Sequence, residues 1–159
     1  MKHIVLALAA SLTIGGTVLA QTAAVTNAFM YRKDGKLEQA RTEIDKAITH
    51  EKTMGNAKTW YFRGEIYEDM AASNKPEIQQ KTPSNALKIA YDSYKKAVEL
   101  DKKGGEYATK GKARMQNIYP PVFNKAVKNL EAKKYDEAIE AFEFAKEMRP
   151  ADTVVYLYT

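Results

Sequence analysis

The chain has 159 residues, a formal net charge of +5, 45% hydrophobic and 28% charged residues, and no cysteine. This size suits one ordinary domain; the apolar share is too high for a disordered chain, and a mean hydropathy of −0.51 excludes a multi-span membrane protein. With no thiol and only His3 and His50, disulfide scaffolds, thiol redox chemistry and thiolate zinc sites are excluded, and no cofactor or metal is expected.

Met1-Lys2-His3 is a short basic start, and Ile4 to Val18 is almost wholly apolar or small. The apolar stretch, about 16 residues, is shorter than the roughly 20 that a spanning helix needs. Residues 1–20 are therefore expected to be a signal peptide cleaved before Gln21. The mature protein, residues 21–159, is then exported to the periplasm or medium without a transmembrane segment.

Beyond the leader, helices are expected over roughly 23–33, 36–50, 57–73, 84–102, 106–118, 121–133 and 135–148. Leu37-x-x-Ala40-x-x-x-Ile44-x-x-Ala47 recurs as Leu87, Ala90, Tyr94, Ala97, and again as Tyr135, Ala138, Phe142, Ala145. Offsets of three, four and three put each set on one helix face, with two alanines for close approach and a large residue between them. His50 falls at a helix end, where a histidine most often meets the last carbonyls. Residues 71–83 are polar with Pro76 and Pro83, and are expected to form a long loop ahead of Ser84. Gly104-Gly105 stops the next helix. Pro120-Pro121 leaves open whether 106–133 is one kinked helix or two. After Pro150, residues 153–159 are in register with the first turns of a fourth hairpin, with Asp152 as N-cap.

Each stripe has a partner upstream: Ala24, Ala28 and Tyr31; then Trp60, Gly64 and Tyr67; then Val122 and Ala126, with Asn129 in the tyrosine place. Trp60-x-x-x-Gly64-x-x-Tyr67, the three Ala-x-x-x-large-x-x-Ala runs and Pro150 together resemble the tetratricopeptide repeat family. Asn27, Arg63 and Lys125 depart from it where leucine is usual, and Lys52 and Lys102 replace the closing proline. The resemblance implies an all-α superhelix of antiparallel helix pairs, about three repeats plus the start of a fourth. It also implies a non-catalytic scaffold that binds a protein or peptide of the cell envelope. The chain stops on Val154, Val155, Tyr156, Leu157 and Tyr158 where arrays carry a polar capping helix, so it is expected to be the N-terminal part of a longer array. The exposed C-terminal helix is also the place where a homo-oligomer would form.

In such arrays the first helix of each pair lines the concave face. Counting from the small packing residues, Phe29, Arg32, Tyr61, Glu65, Glu68, Phe123 and Val127 are the groove candidates. The plainer alternative is that Phe29, Tyr61 and Phe123 pack between repeats. Residues 102–134 hold nine basic residues and two acids, whereas 135–159 hold six acids and two bases. Lys110, Lys112, Arg114, Lys125 and Lys128 form the second candidate, a basic patch for an anionic polymer or lipid headgroup; nucleic acid is not an expected partner of an exported protein. Glu65, Glu68 and Asp69 beside Tyr61 are the one carboxylate cluster a hydrolase could use, and a solvated helix face is the commoner meaning of such a cluster.

Overall fold

A computed structural model describes residues 14–101 and 103–158, with side chains from residue 23 onward. Of the expected leader, residues 1–13 lie outside the described residues and 14–20 are described as backbone only. Lys102 also lies outside them. The described chain is all-helical, without a strand: α1 Ile14–Lys33, α2 Leu37–Ala47, α3 Glu51–Met54, α4 Ala57–Ala72, α5 Pro76–Gln79, α6 Ala86–Leu100, α7 Glu106–Glu131 and α8 Tyr135–Met148. A single 3-10 turn, Val155–Leu157, follows. None of these helices is long and apolar enough to cross a membrane.

The chain packs in sequence order: α1 on α2, α2 on α4, α4 on α6, α6 on α7 and α7 on α8. Smaller contacts tie α1 to α4 and α4 to α7. The repeated stripes are what these seams bury. Ala40, Ile44, Ala47, Ala90, Tyr94, Ala97 and Ala145 are fully enclosed, and Ala138 and Phe142 nearly so. The lead position varies: Leu37 is buried, Leu87 packs on the core's edge, and Tyr135 is 57% exposed. Tyr135 departs from the expected stripe: α8 packs mainly against α7 and touches α6 through Phe144 and Glu147, far from its first residue.

Two glycines explain close approaches. A Cβ at Gly64 would lie 2.4 Å from the Tyr94 ring, and one at Gly111 would lie 3.2 Å from the Tyr94 carbonyl oxygen. A side chain at Gly64 would overlap the Tyr94 ring, so α4 could not reach α6 with one, whereas at Gly111 the Val98 side chain and the Tyr94 carbonyl would have to give by a few tenths of an ångström.

Several boundaries differ from those expected. The 36–50 helix stops at Ala47, and His50 begins α3: its Nδ1 accepts the Lys52 N–H at 3.3 Å, so it caps a helix start and not a helix end. Within 71–83, α4 runs on to Ala72 and α5 forms a turn whose Ile78 is buried; Arg41 holds the segment by donating to the Lys81 carbonyl at 2.8 Å. Residues 106–131 are one helix. Pro120 and Pro121 are exposed, as are Gln116 and Asn117, whose carbonyls lose their i+4 donors and can turn to water. The fourth hairpin is replaced by the short 3-10 turn. Val154, not Asp152, stands at its N-cap, without a side-chain cap bond; Asp152 lies two residues earlier, where it accepts the Val154 N–H at 3.1 Å and the Tyr119 hydroxyl at 2.7 Å.

Arg63, one of the departures from the repeat pattern, is accounted for by its partners. It donates to Asp45 of α2 and to Ser93 of α6, each at 2.9 Å, so a polar bridge stands where leucine is usual.

Candidate functional site

Residues of α1, α4 and α7 line an open cavity of about 400 Å³. Its wall is aromatic. Phe29 of α1 stacks on Phe62 of α4 with ring centroids 5.0 Å apart, and Tyr61 and Tyr107 close the far side at 5.5 Å from one another. Lysines surround the rings: Lys33 lies 5.0 Å from the Phe29 centroid and Lys58 5.5 Å from that of Phe62, both within cation–π range. At the mouth Lys110 pairs with Glu106, one turn away on α7; that carboxylate raises the lysine above its ordinary value.

Beneath the rings runs a charge network joining four helices. Arg32 of α1 donates to Glu65 at 2.9 Å and to Asp69 at 2.6 Å, both on α4. Arg114 of α7 meets the same Glu65 at 3.2 Å and Glu68 at 3.5 Å. Tyr61 donates to Glu65 at 3.3 Å, and Tyr94 of α6 donates to Glu68 at 2.6 Å. The spacing on α4 makes this possible, since Tyr61, Glu65, Glu68 and Asp69 share a face. Burial opposes the Arg32 charge, but the Asp69 bond and the Glu65 field outweigh it and raise its pKa. Burial, followed by the Glu68 bond, pushes the Tyr94 hydroxyl far up, so it acts as a fixed donor.

Phe29, Arg32, Tyr61 and Glu65 all line this one cavity. Glu68 sits in the network behind it. Tyr61 and Glu65 are 6% and 8% exposed, so they are buried wall residues and not free surface groups. Phe123 and Val127 lie about 24 Å and further along α7 from Tyr107. There Phe123 packs on Tyr119, Phe142 and Tyr158, the between-element packing that is the plainer alternative for it. Phe62, Lys58 and Tyr107 are cavity residues that sequence reasoning passed over. Tyr107 reaches the cavity through the tertiary contact of α7 with α4.

The basic candidates all lie on α7, and three of the five are engaged within the molecule. They spread over roughly 27 Å of α7. Lys110 is held by Glu106, Arg114 by Glu65 and Glu68, and Lys125 by the Ser84 carbonyl. Lys112 and Lys128 are exposed and have no ion pair among the described residues. His50 stays at its cap, away from the carboxylates of α4, and no group of acids or histidines among the described residues could hold a metal. Searched against protein-family models, curated proteins and solved structures, the chain matches none.

Proposed function

We propose that this chain is an exported, non-catalytic scaffold, a tetratricopeptide-like superhelix of about three helix pairs that holds a peptide or protein of the cell envelope between α1, α4 and α7. The observation that carries the reading is that Phe29, Arg32, Tyr61 and Glu65, picked for one concave face, line a single aromatic cavity crowned by lysines. Rings supply contact area at low entropic cost, and the rim charges fix a ligand's register. The contacts of α1 with α4 and of α4 with α7 support a stacked-pair arrangement, since first helices meet first helices in such arrays. A hydrolytic role has less support: Glu65, Glu68 and Asp69 are engaged by Arg32 and Arg114, which suits an ionised structural network better than a proton donor.

Export is tested by cell fractionation and intact mass: loss of residues 1–20 and recovery from the envelope fraction are expected. A cytoplasmic product retaining His3 would remove that part of the proposal. The groove is tested by panning a displayed peptide library on the purified protein. Captured peptides should bind Lys33→Glu and Lys58→Glu, both exposed, at least tenfold more weakly, with melting nearly unchanged. Capture that survives both variants but falls with Lys112→Glu and Lys128→Glu would move the site to the basic face of α7.

A further inference from the structure

The charges around the α1/α4/α7 cavity are unequally matched. The acids among its lining residues are Glu65 and Glu106, and each has a cationic partner: Arg32 and Arg114 hold Glu65, and Lys110 holds Glu106. Glu68 and Asp69, behind the wall, are taken up by Arg114, Arg32 and the Tyr94 hydroxyl. Lys58 lines the cavity and Lys33 stands over its Phe29 wall; both are exposed, and among the described residues neither has a carboxylate partner.

A ring face beneath a lysine leaves its charge in place, so these two ammonium groups meet whatever enters. Formal charge has the same sign, with Arg32, Lys58 and Lys110 against Glu65 and Glu106 in the lining. The larger cavity between α6 and α8, about 820 Å³, makes the contrast: four lysines and four glutamates line it, and it favours neither sign. At about 400 Å³ the smaller cavity is near the lower end for ligand pockets, which suits one or two docked side chains.

We propose that the α1/α4/α7 groove takes an acidic, aromatic segment of a partner protein: a Phe or Tyr side chain enters against Phe29, Phe62 and Tyr107, and the Asp or Glu side chains flanking it meet Lys33 and Lys58. The assignment rests on the peptide-binding role proposed above and narrows it to one class of peptide. Aromatic rings pair favourably with the rings of the wall. A basic segment would bring like charge to both lysines. An acidic segment without rings would leave the aromatic wall uncovered, and a neutral apolar one would make no use of the two lysines. Only a segment carrying both aromatic and anionic side chains matches both features.

The test uses three synthetic peptides of equal length, N-acetylated and C-amidated so that side chains carry all the charge: Phe/Glu, Phe/Lys and Ser/Glu. Binding is read by fluorescence anisotropy. The Phe/Glu peptide should bind saturably, the other two at least tenfold more weakly. Lys33→Glu with Lys58→Glu should reverse the preference between Phe/Glu and Phe/Lys, and circular dichroism checks that the fold is kept. Lys128→Glu, roughly 27 Å along α7 from Lys110, should leave Phe/Glu binding unchanged. Benzoylphenylalanine in place of the central Phe reports where each peptide lies, through mass spectrometry of the cross-link. Tighter binding of Phe/Lys, cross-linked to Phe29, Phe62 or Tyr107, would overturn the acidic preference and leave the peptide groove standing. Phe/Glu cross-linked away from these residues would remove the groove itself. Absent Phe/Glu binding, equal Ser/Glu binding, or indifference to the charge reversal would also overturn the proposal. So would a self-associated protein that the Phe/Glu peptide dissociates, since the occupant would then be a second copy.

Discussion

Tyr94 and Phe142 hold the same place in two copies of one stripe, and both are buried, yet what buries them is different. Tyr94 is closed from both sides by helices: α4 comes so near that Gly64 must lack a side chain, α7 approaches through Gly111, and Glu68 accepts the hydroxyl. Phe142 has α7 on one side, through Phe123, and on the other the Tyr158 ring, stacked at 4.8 Å from a short 3-10 turn. The periodicity of a helix decides which face turns inward. How firmly that face is held depends on the element opposite. In the middle pair that element is a flanking helix on each side, and in the last pair it is a few residues of turn.

The largest effects should come from emptying these two positions. Tyr94→Ala and Phe142→Ala should each lose roughly 3–5 kcal/mol, with Tyr94→Ala at the upper end and Phe142→Ala at the lower, because a turn can settle into a cavity more readily than two packed helices. Urea denaturation followed by circular dichroism measures both. If Phe142→Ala is the costlier, the last pair is held as firmly as the middle one and the contrast collapses.

Overpacking should come next. Ala90→Leu and Ala138→Leu each insert a branched side chain into a closed seam and should cost roughly 1–3 kcal/mol, Ala90→Leu more. Lys95→Leu, on the exposed face of α6, should stay within about 0.5 kcal/mol. Equal losses at all three positions would mean that the stripe is not the seam.

The stripe spacing made the helix class and the buried faces legible, because three, four and three residues can share a face only on a helix. The aromatic cavity was partly legible, through Phe29, Arg32, Tyr61 and Glu65. It was incomplete for a physical reason: Tyr107 lies 46 residues from Tyr61, and no local pattern brings the start of α7 against α4. The engagement of Glu65 with two arginines was hidden too. Arg32 and Arg114 are 33 and 49 residues away from it, and no local pattern pairs them. The α6/α8 groove was the least visible, since it exists only where α6 and α8 stand apart over α7.

The turns between the helices of the first and last pairs sharpen the contrast on a smaller scale. After α1, Gly35 takes φ +72° and the Lys36 N–H returns to the Tyr31 carbonyl at 2.8 Å. After α7 the same turn recurs, with the Lys134 N–H on the Asn129 carbonyl at 2.9 Å, but Lys133 takes φ 58°. A residue with a Cβ is strained in that region and glycine is not. Lys133→Gly should therefore stabilise the last pair by about 0.5–1 kcal/mol, while Gly35→Ala should cost about 1 kcal/mol. Thermal melts of both variants suffice; a destabilised Lys133→Gly would mean that the lysine side chain does more than its strain costs.

The finest comparison is between two tyrosines. Tyr67 of α4 donates to Asp45 at 2.7 Å, and Tyr119 of α7 donates to Asp152 at the same distance. Burial, then the bond to the aspartate, pushes each hydroxyl up to about 12. A tyrosine in the unfolded chain titrates near its ordinary value of about 10. Each pair therefore contributes its full stability below about pH 10, and that contribution is lost as pH rises through about 12. Replacing either residue with phenylalanine should cost about 1 kcal/mol at neutral pH, the net worth of one hydrogen bond. It should also flatten the fall in stability between about pH 10 and 12. Asp45 keeps Arg63 at 2.9 Å when Tyr67 is changed, so the middle network survives. Asp152 without Tyr119 keeps only the Val154 N–H, and the turn that covers Phe142 loses its hydrogen-bonded tie to α7, keeping the Phe123–Tyr158 ring contact. Tyr119→Phe should thus raise amide exchange across residues 153–158 at neutral pH, whereas Tyr67→Phe should leave α2 and α4 protected. Equal exchange in both variants would show that Asp152 does not anchor the turn, and that burial of Val155 with the ring contacts of Tyr158 to Phe142 and Phe123 holds it instead.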